Sequence, residues 1–235
     1  MIRRWLTPVR QRGVEQLDLA ATPDAVRAAA MRDLERSNVL FGGRRAVHRA
    51  ARPLLARLAP GAVVLDVAAG TGDIPAALRA RRPDAFFVGL DGSAALAASA
   101  GARLDGAVAG DALRLPLRDR SIDLVTCSQA LHHFFDGDAR RLVAELHRVA
   151  RGHVVIADLR RSRIAAAGFW LAALALRFHP VTRRDGVTSV FRGFTTAELS
   201  VLVREVTGVT PVMRRGLFWR LSATWAARPD SITRS

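Results

Sequence analysis

The stretch Val63–Pro75, Val-Val-Leu-Asp-Val-Ala-Ala-Gly-Thr-Gly-Asp-Ile-Pro, constrains the fold more than any other part of this chain. Val63–Val67 is a short, branched, apolar run interrupted only by Asp66, the pattern of a strand covered on both faces. Five small residues follow, Ala68 to Gly72, where the backbone can turn sharply and a ligand can approach it closely. After Asp73 a helical stretch begins, Ile74–Arg82. Strand, tight turn and helix in succession put bare N–H groups and a positive dipole end at one spot. That spot lies at the carboxyl edge of a parallel sheet and suits an adenosine-type cofactor. A packed strand-to-helix corner without a ligand would look the same from these residues alone.

The residues downstream narrow the choice. A second strand, Ala85–Leu90, ends at Asp91, about 20 residues past the turn, where a carboxylate can accept hydrogen bonds from ribose hydroxyls. Gly92-Ser93 opens another helix. Leu104–Ala109 ends at Gly110-Asp111-Ala112, an acid placed to read the exocyclic amine of adenine. Ser121–Cys127, with Asp123 near its start, empties into Ser128-Gln129-Ala130-Leu131-His132-His133-Phe134. With the helices Ser93–Ala102 and Gly137–Val149 and a fifth strand Gly152–Ala157, the alternation predicts a doubly wound parallel sheet.

These residues carry a family resemblance. Leu65–Asp73, Asp91, Gly110-Asp111-Ala112 with Leu115-Pro116-Leu117, and Ser121–Val125 resemble the successive motifs of class I S-adenosylmethionine (SAM) dependent methyltransferases. The nearest branch is that of the ubiquinone/menaquinone C-methyltransferases and their small-molecule relatives, and the resemblance runs from Val39 to Trp225. Asn38–Arg45 sits where that branch carries a substrate-side helix. One position departs: Ala68 replaces the usual first glycine of the turn, and its methyl narrows the approach to the cofactor's carboxylate.

The resemblance implies an α/β, Rossmann-like, mostly parallel seven-stranded sheet with an antiparallel last strand and an N-terminal helical cap. Residues 1–60 would form an arm and cap, and residues 61–235 the SAM-binding domain, together one structural unit. SAM would be the cofactor and S-adenosylhomocysteine the product. The implied cofactor residues are Asp66, Ala68, Gly70 and Gly72 at the methionine end, Asp91, Gly92 and Ser93 around the ribose, and Asp111 and Ala112 at the adenine. Ser128 and Gln129 would flank the sulfonium and the acceptor.

A phenol titrates near pH 10, so a base helps at neutral pH. His133, His132 and Asp158 are the candidates, His133 ahead of His132, although a histidine pair at this place also reads as a structural helix opening. His48, His147, His153 and His179 are scattered, and no metal site is expected. The leading expectation is methyl transfer to a small apolar aromatic acceptor (a phenol, quinone or polyketide), oxygen favoured over carbon. Two alternatives stand beside it: an RNA methyltransferase, suggested by charge but lacking the Asn/Asp-Pro-Pro-aromatic signature of amine methylases at Ser128–Leu131, and a non-catalytic SAM-binding subunit.

The formal net charge is +15, and every basic residue is arginine; the chain has no lysine and no tyrosine. Codon bias explains this more simply than nucleic-acid binding does, but the surface should still attract anions, an anionic membrane face or an acidic protein among them. Cys127, the single cysteine, sits in a predicted strand and reads as a small buried hydrophobe. Met1–Leu6 has no apolar core of a signal peptide, and no run reaches the ~20 apolar residues that span a bilayer. A cytoplasmic placement, peripheral to a membrane at most, is expected, with the oligomeric state open.

Outside the core, Met1–Gln16 reads as an irregular arm. Asp24–Ser37 and Arg44–Ala59 read as helices folding over the cofactor end as a lid, with Pro53 kinking or splitting the second. Ile164–Leu176 is a helix apolar on nearly all sides, either packed against the sheet and cap or facing an acceptor or lipid. His179–Arg192 reads as a polar loop and Phe194–Val206 as a capped helix. Val209–Arg214 and Leu217–Trp225 read as a terminal hairpin around Arg215-Gly216, followed by a frayed tail from Arg228.

Overall fold

The computed structural model describes residues 6–19 and 21–227; the expectations for Met1–Trp5 and for the tail from Arg228 lie outside the described residues. Two helices come first, α1 (Asp24–Leu40) and α2 (Gly43–Leu55). The core runs β1 (Val63–Val67), α3 (Asp73–Arg79), β2 (Phe86–Asp91), α4 (Ala94–Gly101), β3 (Gly106–Ala109), β4 (Ile122–Ser128), α5 (Asp136–Val149) and β5 (Ala150–Leu159). Then come α6 (Arg163–Ala175), α7 (Pro180–Arg192), α8 (Thr196–Thr207), β6 (Val212–Gly216) and β7 (Arg220–Ala226).

The seven strands lie in the order β3-β2-β1-β4-β5-β7-β6. All pairings from β3 to β5 are parallel, and β7 runs antiparallel to both β5 and β6. The order reverses beside β1, between the chain's outward run to β3 and its return through β4. Such a reversal opens a crevice at the carboxyl ends of the strands. One core layer holds Leu142, Leu146, Leu199 and Val203 of α5 and α8 against the sheet. The other holds Val47, Ala51, Ile74, Leu78 and Phe87, so α2 belongs to the main core.

Three expectations are corrected by tertiary context. Residues 179–192 form a helix, α7, and not a loop. Pro180 sits at its first turn, where a missing N–H is harmless, and the His179 ring accepts the Val181 N–H at 3.2 Å. Gly186, which reads locally as a break, lies where α6 crosses: a Cβ there would fall 2.1 Å from the Phe169 ring. Pro53 does not split α2, because it falls within the helix's last turn before Leu55. The hairpin turns at Leu217–Trp219, with the Arg220 N–H donating to the Leu217 carbonyl at 3.2 Å, and not at Arg215-Gly216. The capped helix is as expected: Thr195 and Glu198 form a reciprocal capping box at the start of α8.

Candidate active site

The turn after β1 has a left-handed backbone at three positions, Ala68 (φ +58°), Gly70 (+57°) and Gly72 (+77°). Glycine adopts this region freely and alanine does not, so Ala68 carries strain at the place where the sequence departs from the family pattern. A Cβ on Gly72 would lie 2.9 Å from the Ala100 Cα, whereas one on Gly70 would project into open space. Asp91, at the tip of β2, ties this turn down: one carboxylate oxygen accepts the Gly70 N–H at 2.8 Å and the other the Ser93 N–H at 2.9 Å. Each oxygen keeps a further lone pair for a ribose hydroxyl.

Asp66 is buried inside β1, and Thr126 of β4 donates to its carboxylate. Burial, opposed by that hydrogen bond, pushes its pKa up to about 7. Ser128 ends β4 with its buried hydroxyl unpartnered, and Gln129 follows with φ +52°. A cavity of about 80 Å³ is bordered by Asp66, Ala68, Gly70, Ser128 and Gln129. Its roof is α1: Thr71 donates to Glu35, and Asn38 donates to both Asp73 oxygens at 3.1 and 3.2 Å. An orphaned buried hydroxyl, open space over Gly70 and a raised carboxylate fit the polar amino-acid end of SAM.

The other sequence candidates spread along the crevice. Ser93 caps α4, its hydroxyl accepting the Leu96 N–H at 3.4 Å, and Gly92 precedes it. Asp111 accepts the Leu113 N–H at 2.8 Å, with Ala112 buried beside it. None of these four lines the cavities described here, whereas Asp91 and Leu96 border the larger one.

That larger cavity, about 480 Å³, runs from Ala68, Gly70 and Asp91 past Gln129 to His132 and His133. Met31, Leu34, Phe134, Phe169 and Val190 make much of its wall apolar. His132 and Asp158 form a buried pair, the ring Nδ1 2.6 Å from Asp158 Oδ1. The other carboxylate oxygen accepts the His132 backbone N–H at 2.9 Å. Burial alone would raise the Asp158 pKa, but the His132 ring and the backbone N–H groups hold it below the usual carboxylate range. Asp158 therefore stands behind the histidine, orienting it, and does not border the cavity. With Nδ1 engaged, Nε2 is the ring nitrogen left for a bound acceptor.

His133 has different company: Asp18 at 3.4 Å and Arg192 at 3.3 Å. Burial lowers its pKa, but Asp18 and Glu15 more than offset that, so it lies above the ordinary histidine value. Asp18 and Arg192 thus tie the His133 Nδ1 into the ion pairs of the arm, whereas His132 has a single orienting carboxylate behind it. Glu15, His132 and His133 would suit a cation by residue type. However, the Arg192 guanidinium sits 2.7 Å from Glu15 and already supplies the positive charge.

Several of these contributors left no trace in the sequence pattern. Glu15 and Asp18 come from the arm, which lies across the site. Arg10 donates to the carbonyls of Arg192, His132 and Phe134 at 2.6, 3.2 and 2.8 Å. Arg220, fully buried at the start of β7, donates to Gln129 and, at 2.9 Å, to the Phe41 carbonyl. Burial, partly offset by Asp158, pushes its pKa down to about 10. The one available signal was positional: an acid at the tip of β5 must neighbour the residues that follow β4.

Comparison with known proteins agrees with this geometry. Residues 65–157, from β1 almost to the end of β5, match the methyltransferase domain family. A demethylmenaquinone methyltransferase of Thermotoga maritima is 40% identical over 100 residues, covering 41% of this chain and 43% of that protein. One from Mycolicibacterium paratuberculosis is 35% identical over 143 residues, covering 60% of this chain and 59% of that protein. The chain thus spans about half the length of these relatives. Among solved structures, a SAM-dependent methyltransferase from Aquifex aeolicus superposes with a TM-score of 0.61 at 14% identity, covering 84% of this chain and 97% of that one. The plantazolicin methyltransferase superposes with a TM-score of 0.65 at 13% identity, covering 88% and 91%; at such identities the likeness is one of fold. Residues 65–157 thus carry the match to the methyltransferase domain family, and the sheet order is the fold of the SAM-dependent methyltransferase structures it resembles.

Proposed function

We propose that the protein methylates an apolar hydroxyaromatic acceptor of the quinol or phenol type, at oxygen. The observation that carries this reading is the buried His132–Asp158 pair on the wall of a largely apolar cavity that reaches the cofactor turn. The relatives' name, demethylmenaquinone methyltransferase, favours a quinone-type ring as the acceptor class. SAM, when bound, supplies an electrophilic methyl group on a sulfonium.

The chain's own residues do the rest. Asp66, Gly70, Ser128 and Asp91 would hold the cofactor, with Asp111 and Ala112 closing its adenine end. The walls from Met31, Leu34 and Phe169 exclude water and align the acceptor. His132 Nε2 takes the acceptor's hydroxyl proton, and Asp158 fixes the tautomer and stabilises the ring once charged. The Arg10, Glu15, Asp18 and Arg192 lattice keeps the arm over the site, and α1 serves as a lid.

The test is a titration with SAM and S-adenosylhomocysteine, then turnover with a panel of phenols and quinols and location of the new methyl by NMR. An O-methyl product made by wild type and lost in His132→Gln, with SAM binding kept, supports the reading. A C-methyl product, or turnover indifferent to His132, refutes the oxygen assignment. Product formed on RNA and on no small aromatic would favour the nucleic-acid alternative.

A further inference from the structure

The face of α6 turned away from the sheet is apolar and open. Ile164, Trp170, Leu171 and Leu174 are 48, 44, 65 and 50% exposed. At about 100° per residue they share one stripe with Ala167 and Ala175; the small residues Ala165, Ala166 and Ala173 are the ones turned inward. This is the arrangement of an amphipathic helix with its greasy side out.

The β6–β7 hairpin tip continues the patch. Leu217 and Phe218 are 60 and 54% exposed. Phe218 and Trp219 both hold φ +53°, the conformation a primed hairpin turn demands and that asparagine or glycine normally supplies. Bulky residues rarely adopt it, so strain is accepted here to present an aromatic outward. Trp219 packs on the cluster of Ala165, Ala166 and Val190. Phe41 joins helix to tip, its ring 5.6 Å from Phe169 and 6.3 Å from Phe218. Under this patch lies a cavity of about 240 Å³, and Leu159, Phe169, Val190 and Arg220 border both it and the reaction cavity.

The charge around the patch has one sign. Between Asp158 and Asp185 the chain carries Arg160, Arg161, Arg163, Arg177, Arg183 and Arg184 and no carboxylate. Arg161 is buried against Glu198, but Arg163 and Arg177 stand exposed at the two ends of α6. The Arg183 guanidinium lies 5.8 Å from the Trp170 ring. Arg215 on β6 adds to the rim, and it is close enough to Arg160 to lower its pKa, after burial.

We propose that this face docks on an anionic lipid bilayer, with the α6 stripe and the Leu217-Phe218 tip in the acyl boundary and the arginines among the headgroups. An apolar face ringed by cations has the chemistry of an interfacial anchor. None of the described helices is long and apolar enough to cross a membrane, so the contact is peripheral. A second copy of the chain is a poorer occupant, because a two-fold contact would bring both sets of arginines together with no carboxylates between them. Docking in this way would let an apolar acceptor pass from the bilayer through the smaller cavity to His132; that route rests on the function proposed above, while the docking itself does not.

The full chain is tested for co-sedimentation with vesicles of phosphatidylcholine alone and of phosphatidylcholine with equal phosphatidylglycerol, at low and high salt. Circular dichroism serves as the control for folding, and SAM titration reads the cofactor site separately. Wild type is expected on the anionic vesicles only, more weakly at high salt. The double variant Leu171→Glu, Leu174→Glu should lose about a hundredfold in partitioning, from two leucines no longer buried, with SAM affinity unchanged. Absence of wild type from anionic vesicles with the fold intact overturns the proposal, as does undiminished partitioning of the variant. So does a wild-type dimer in sedimentation velocity that the substitutions split. Partitioning by a chain that fails to bind SAM would support docking and sink the cofactor reading alone.

Discussion

Asp158→Asn separates an orienting carboxylate from a merely packed one. Asp158 accepts three N–H groups: the His132 backbone at Oδ2 (2.9 Å), and the Leu159 backbone (2.7 Å) and the His132 ring (2.6 Å) at Oδ1. An amide keeps the shape but turns one acceptor into a donor. With its NH2 at the Oδ2 position it confronts the His132 backbone N–H. At the Oδ1 position it confronts the Leu159 N–H and lets Nδ1 only accept, which forces the ring proton onto Nε2. Either way a buried donor loses its partner, a cost of about 1–3 kcal/mol of stability. In the second orientation the base also lacks the lone pair it needs, and the wrong tautomer together with lost general-base catalysis corresponds to roughly 10²–10⁴ in rate. The assay pairs kcat for a quinol or phenol acceptor with SAM affinity by calorimetry and with urea denaturation. The expected result is a large fall in kcat, unchanged SAM affinity and a lower urea midpoint. His132→Gln should fall by a similar factor, and the double variant by little more, because the two act as a unit. A kcat for Asp158→Asn within about tenfold of wild type, below the range of general-base effects, would refute the dyad argument.

Three further outcomes follow from the same geometry. Burial raises the Asp66 pKa from 3.8 to about 7, so the stabilisation it contributes is complete below 3.8 and lost as pH rises through about 7. The difference amounts to at most about 4 kcal/mol, and Asp66→Asn should remove that slope from urea midpoints measured across the window. Ala68→Gly relieves a left-handed alanine and, after the added chain entropy of glycine, should stabilise the protein by about 0.5–1 kcal/mol at unchanged m-value; destabilisation would mean the methyl is packed usefully. Gly186→Ala drives a Cβ into the Phe169 ring and should cost about 1–3 kcal/mol by overpacking, read as a lower melting temperature with loss of the α6–α7 contact.

The sheet was largely legible before any coordinates, because its strands are local apolar runs of period two or buried on both faces, and its turns are marked by small residues. The turn after β1 was legible for the same reason: a tight turn at a strand end needs small residues within a few positions. The α7 helix was not, since Gly186 breaks the pattern and only the crossing of Phe169 explains it. The sequence ranked His133 ahead of His132 as a candidate base, whereas the function proposed above rests on His132. His132 and His133 are equivalent in sequence, and what separates them is Asp158, 26 residues on, against Asp18, more than a hundred residues before.

The sequence by itself determined the α/β class and the strand–turn–helix cradle, and it carries the likeness to methyltransferases over residues 65–157, because each depends on residue type at short range. Only the tertiary structure decided which histidine backs onto Asp158 and which joins the ion pairs of the arm, that an arm of no periodicity carries Glu15 and Asp18 into the site, and that α6 turns its apolar side outward. Those outcomes depend on which surfaces the sheet order brings together. A helix apolar on nearly every side has no preferred face of its own, so its neighbours choose which face is buried and leave the other to whatever it meets.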